Sequence, residues 1–204
     1  MHRPGGECVK RQISVSQYRT IDLTLFAFMT VVFESVTALA GARWFPKEAW
    51  EVSVTGALSA VVLVRWGWPG GLIGALGGAV RCLALGGSPR QLLVYAVGNL
   101  ACLALLPLVK PERSERWRRD TLRCMGFGGL TLLLQQTGRV LISLCLGAGL
   151  PEALCFYTTD VLSMLFTLVI LWIVKRLDGV LENQTCYLAR IGRESRETDE
   201  GGFR

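Results

Sequence analysis

The sequence contains a single histidine, His2, among 204 residues. It sits in a polar tail, so no histidine-based metal site is expected. Seven cysteines are present, but none forms a C-x-x-C pair. Cys82, Cys102, Cys124, Cys145 and Cys155 fall within or near apolar blocks and read as small apolar filler. There is no G-x-x-x-x-G-K-[ST] loop, so ATP hydrolysis has to come from elsewhere. The net charge is +6 and the pI about 9.1, yet no stacked aromatic platform or basic helix supports nucleic-acid binding. The first 20 residues are polar and basic, with no short apolar core and cleavage site, which argues against a removed signal peptide. No nucleophile–base pair or metal set is visible, so neither an enzyme nor a cofactor is expected.

Apolar sequence is what dominates. Hydrophobic residues make up 51% of the chain, and the mean hydropathy is +0.40. They cluster in blocks of roughly 18–25 residues, the length a helix needs to cross about 30 Å of hydrocarbon. The blocks lack the period-two alternation of barrel strands, and only helices or closed barrels satisfy their backbone in lipid. The expected fold is therefore an all-α integral membrane protein, a bundle of about six transmembrane helices.

The expected spans are residues 21–42, 49–64, 70–85, 89–109, 122–146 and 151–174. Thr20 is a plausible cap for the first. Ser88-Pro89-Arg90-Gln91 reads as a capping box with proline at the first helical position. These spans define three regions: a polar tail over 1–19, a six-helix domain over 20–176, and a tail over 177–204 that is partly helical and then disordered.

Lysine and arginine set the orientation. Lys10, Arg11, Arg19, Arg65, the run from Lys110 to Arg123, Lys175 and Arg176 would share one side. Arg43, Lys47 and Arg90 would share the other, with Arg81 as a further candidate for that side. The richer side is cytoplasmic, which places both termini in the cytoplasm of a multi-pass plasma-membrane protein.

Charged residues inside spans are costly unless paired or wet, and each is a candidate for function. Glu34, Asn99, Arg139 and Asp160 lie on four different spans. At 1.5 Å per residue each falls roughly 12 Å below the outer surface. Gln135 with Arg139, Tyr95 with Asn99, and Tyr157 with Asp160 share helix faces. Together they would line an outward-facing cavity, with Trp44, Phe45 and Trp50 of the first outer loop as cover. The plainer reading is that Arg139 pairs with Glu34 or Asp160 and pins helices together. A proton or ion path is a third. Arg81, nearer a span end, reads as a gate or, slightly better, as snorkelling to the interface.

Small residues recur every four positions at Gly70, Gly74 and Gly78, and at Ala38 and Ala42, a spacing that permits close helix packing within the bundle or against a partner.

Six spans, a conspicuous first outer loop, a glycine-rich third span and the run Tyr95-Ala96-Val97-Gly98-Asn99 together resemble the S components of energy-coupling factor (ECF) transporters. The resemblance covers about residues 18–176. It implies a subunit that captures a vitamin or related micronutrient from outside. It also implies a transmembrane T component and two cytoplasmic ABC ATPases as partners. Family members contact the T component through an A-x-x-x-A pattern on span one, whose spacing Ala38 and Ala42 fit.

The candidate substrate-binding residues are thus Glu34, Trp44, Tyr95, Asn99, Gln135, Arg139, Tyr157 and Asp160, and the candidate partner interface is Ala38 and Ala42. The competing reading is a structural membrane subunit of the MreD type. It expects the same polar residues to form a satisfied internal network without a cavity. An enzyme using Glu34 or Asp160 as acid or base is the weakest alternative.

Overall fold

A computed structural model describes residues 14–47, 50–109, 120–177 and 179–190. The charged loop over 110–119, with Trp117, and the ends over 1–13 and 191–204 lie outside the described residues.

Among the described residues the chain is all-helical, without strands. Its elements are α1 (Val15–Trp44), α2 (Thr55–Trp66), α3 (Pro69–Ala84), α4 (Pro89–Asn99), a 3-10 run (Leu100–Leu108), α5 (Thr121–Cys145), α6 (Leu150–Thr159) and α7 (Val161–Lys175). A last helical turn covers 184–190. Three stretches are long and apolar enough to cross a membrane: Val15–Trp44, Pro89–Leu108 and Leu150–Lys175. Their outward faces stay apolar. Leu25, Phe28, Phe33, Val36 and Leu39 on α1, and Leu165, Phe166, Val169 and Ile173 on α7, are exposed. A water-facing protein would not leave such contiguous apolar surface uncovered, whereas lipid covers it without cost.

The structure shifts several expected boundaries for local reasons. α1 begins before Thr20 because Ser14 and Gln17 form a reciprocal capping box. Residues 15–19, expected in the tail, are helical. The box at Ser88 and Gln91 forms as expected. α2 starts at Thr55 rather than near 49, because Ser53, Val54 and Thr55 spend their polar groups on Glu34. The sixth expected span is broken at Asp160. Thr158 and Thr159 hydroxyls bond back to the Cys155 carbonyl, a local competitor of the helix ladder. The freed Thr159 carbonyl then accepts from the Glu51 N–H at 2.9 Å.

The glycine-rich α3 packs closely against α2 and α4. A Cβ at Gly70 would meet the Leu63 backbone at 2.5 Å, one at Gly77 the Thr55 hydroxyl at 2.1 Å, and one at Gly78 the Tyr95 carbonyl at 2.4 Å. The stripe is thus used within the chain. α4 and α5 approach as closely at Gly98 and Gly138.

The ends of the fold differ in character. At the end that carries Tyr18, Asp22 and the segment after α7, Arg65 is the organiser. It grips Asp22 with two bonds of 2.9 and 2.8 Å, and donates to the Val180 carbonyl at 3.1 Å. Trp66 Nε1 joins on Asp22 at 2.6 Å. Gln184, within the Asn183-Gln184-Thr185 run, is buried there and donates to the Gly179 carbonyl. The opposite end carries the loop after α1 and the candidate site.

Candidate functional site

The polar residues of the loop end form one connected circuit. Arg139 on α5 donates through one terminal nitrogen to Asp160 Oδ2 at 2.7 Å and through Nε to Asn99 Oδ1 at 2.8 Å. Asn99 on α4 passes its own N–H to the Gly74 carbonyl on α3 at 2.7 Å. The second oxygen of Asp160 accepts from Ser163 Oγ at 2.9 Å, and Ser163 Oγ in turn accepts from the Ser53 N–H at 3.0 Å. Ser53 Oγ donates to Glu34 at 3.0 Å.

Glu34 on α1 is wholly buried. One of its oxygens takes Ser53 Oγ, the Val54 N–H at 3.2 Å and Thr55 Oγ1 at 2.8 Å. The other faces Arg81 at 3.3 Å. Arg81 also donates to Glu51 Oε2 at 3.2 Å and to the Val52 carbonyl at 2.9 Å. Glu51 Oε1 accepts from the Tyr95 hydroxyl at 3.3 Å, and the Tyr95 ring lies 4.8 Å from the Arg139 guanidinium. The circuit closes there. Six helices, α1 to α5 and α7, and the loop over 50–54 meet in it.

Charges this deep persist only because nearly every lone pair and N–H has a partner. Arg139 and Asp160 are each 1% exposed. Arg139 pairs with Asp160 and not with Glu34; Glu34 goes to Arg81. Arg81 does not snorkel. Burial between two carboxylates holds it inside, since reaching the surface would strand Glu34. Glu51 was not a sequence candidate. It stands in a loop beyond the expected polar level, and only its position four residues before Thr55 on a short connection hinted at proximity.

Two cavities flank the circuit at the loop end. The first, about 390 Å³, lies between the start of α4, the end of α5 and the start of α6, where Arg90, Tyr95, Ser143, Glu152 and Phe156 face it. The second, about 420 Å³, lies between the end of α1, the loop and the end of α3, with Phe45, Trp50, Glu51 and Arg81 among its lining. The Glu51–Tyr95 hydrogen bond is part of the wall between them.

The candidate residues divide accordingly. Tyr95 lines the first cavity and contacts Phe156 edge-on. Glu34, Asn99, Arg139 and Asp160 form the floor beneath the cavities and line neither. Trp44 is exposed and lines neither, while Trp50, five residues before the start of α2, lines the second. Tyr157 points to Thr137, with 2.8 Å between their hydroxyl oxygens. Gln135 is buried beside Gly74 and interacts with the Cys102 thiol, but at a geometry short of a hydrogen bond, and its amide makes none among the described residues. Ala38 is buried and Ala42 exposed, and both line the second cavity. No group of three metal-ligating side chains exists among the described residues.

No family model, curated protein or solved structure matches this chain.

Proposed function

We propose that this chain is the substrate-capture subunit of a micronutrient uptake transporter, a plasma-membrane protein with six crossings and both termini in the cytoplasm. The pair of cavities at the loop end carries the reading. They have the size of small-molecule sites, apolar and aromatic walls, and a few fixed polar groups. The satisfied circuit beneath them supplies a rigid floor. The lysine and arginine asymmetry puts this end outside. On this reading a vitamin-type molecule is the ligand, and a T component with two ABC ATPases drives the cycle, as in the ECF transporters the chain resembles.

A second reading rests on the circuit itself. A closed and satisfied polar network is what a structural subunit of the MreD type would carry, with Arg139 and Asp160 as an interhelical pin. One experiment separates the two. Purified protein is heated with and without each member of a panel of water-soluble vitamins. Capture predicts a rise in Tm with at least one. If none shifts the Tm, and substitutions facing the cavities change nothing but stability, the structural reading replaces it.

A further inference from the structure

The charge count within the circuit is unequal. The circuit holds three carboxylates, Glu34, Glu51 and Asp160, against two guanidinium groups, Arg81 and Arg139. Asp160 has Arg139 to itself, while Arg81 is divided between Glu34 and Glu51. Glu34 is fully buried and receives three further donors. Among the described residues Glu51 receives the Tyr95 hydroxyl and Arg81, both at 3.2 Å or more, and its side chain is 24% exposed. The surplus negative charge therefore resides on Glu51, and Glu51 faces the second cavity.

The same cavity offers two exposed aromatic rings, Phe45 and Trp50. A carboxylate beside aromatic faces attracts a weakly hydrated cation twice, by charge and by the ring quadrupoles. Arg81, also in the lining, is already committed to two carboxylates and a carbonyl and does not add a free positive charge. Arg43 and Lys47 are exposed and line neither cavity. The first cavity is balanced, with Arg90 and Glu152 both in its lining. A bare metal ion is disfavoured, because the carboxylates do not converge as a ligand set.

We infer that the cavity between the ends of α1 and α3, lined by Phe45, Trp50 and Glu51, binds an organic cation, a quaternary or aromatic ammonium head, with Glu51 as counter-ion and Trp50 and Phe45 against its face. This rests on the capture reading and names the charge class of its ligand. The ligand's positive charge would compensate the excess at Glu51 without breaking the Glu34–Arg81 pair below.

The test uses the full chain in detergent micelles, with tryptophan fluorescence and Tm as readouts. The probes are benzyltrimethylammonium, benzoate and benzyl alcohol, which share a ring and differ in charge. Saturable binding of the cation alone is expected. Glu51→Gln should weaken it by roughly 10- to 100-fold, the worth of a charge-assisted contact. Trp50→Ala, at an exposed residue outside the circuit, should weaken it by roughly 2- to 30-fold without changing the fold. Cation binding untouched by both variants would place the site elsewhere and overturn the inference. Binding of benzoate in preference to the cation would overturn it too, while leaving the capture reading intact. Binding of no probe overturns it as well, and only a flat response to the vitamin panel in addition removes the capture reading.

Discussion

Arg139 on α5 and Asp160, the residue that separates α6 from α7, meet at 2.7 Å with both side chains buried. The pair sits at the break of the sixth apolar stretch, so it fixes the position of two helices against a third. Removing one member leaves the other charge stranded. Arg139→Met and Asp160→Asn should each cost about 3–5 kcal/mol. The double variant should fall short of the sum by about 1–3 kcal/mol, because with both charges removed neither is stranded. Equilibrium unfolding of the four proteins in mixed micelles measures this. Strict additivity would mean the pair is not coupled.

The α4–α5 contact tests backbone proximity in the same region. A Cβ at Gly138 would stand 2.0 Å from the Gly98 carbonyl oxygen, and backbone atoms have no rotamer with which to yield. Gly138→Ala should destabilise by about 1–3 kcal/mol through overpacking. Gly126, in the same helix, has nothing within 4 Å of its own would-be Cβ. Gly126→Ala should leave stability unchanged or raise it by up to about 1 kcal/mol, the helix-propensity difference. The contrast between the two Tm values is the measurement.

How much of this was readable beforehand follows from what each signal reports. The all-helical class was readable because apolar length is a property of the chain itself, and three stretches are long and apolar enough to cross a membrane. Residue count along each helix pointed to Glu34, Asn99, Arg139 and Asp160 as one group, and the hydrogen-bond circuit connects them. Which acid meets Arg139 was not, since helix rotation and neighbour order are set by packing. Arg81 was misjudged as snorkelling for the same reason: its partners, Glu34 and Glu51, lie 47 and 30 residues away in sequence. Trp44 and Trp50 were near-equivalents in sequence, and only the turn after α1 decides that Trp50 lines the cavity. Glu51 falls at the outer end of the expected second span, 49–64, and is absent from the sequence candidates; the structure puts it in the loop before α2, where Arg81 and Tyr95 reach it.

Gln135 offers a prediction of opposite sign to the charge pairs. Its amide is buried and makes no hydrogen bond among the described residues. An unpaired buried amide costs about 1–3 kcal/mol relative to an apolar group of similar shape. Gln135→Met, which keeps length and flexibility, should therefore raise the Tm or leave it unchanged. A fall of several degrees would show that the amide has a partner in the membrane, such as an ordered water shared with Cys102.

The opposite end of the protein gives the last test. Arg65 bonds Asp22 on α1 and the Val180 carbonyl at 3.1 Å, so its guanidinium ties the segment after α7 to the first two helices. Two longer bonds of 3.4 Å, Arg65 to the Gly179 carbonyl and Tyr18 to Gln184, and the packing of Leu181 in the apolar core add to it. Arg65→Ala removes the clamp and leaves Asp22 with Trp66 alone. Amide hydrogen exchange over 179–190 should then quicken by roughly tenfold or more, as expected for losing at least one charge-assisted contact. Exchange at the loop end should not change, because the Arg139 circuit shares no residue with this cluster. Arg90→Ala, at the loop end, should leave the 179–190 amides as they were. If Arg65→Ala instead quickened exchange throughout the protein, Arg65 would be a determinant of the whole fold and not a local clamp.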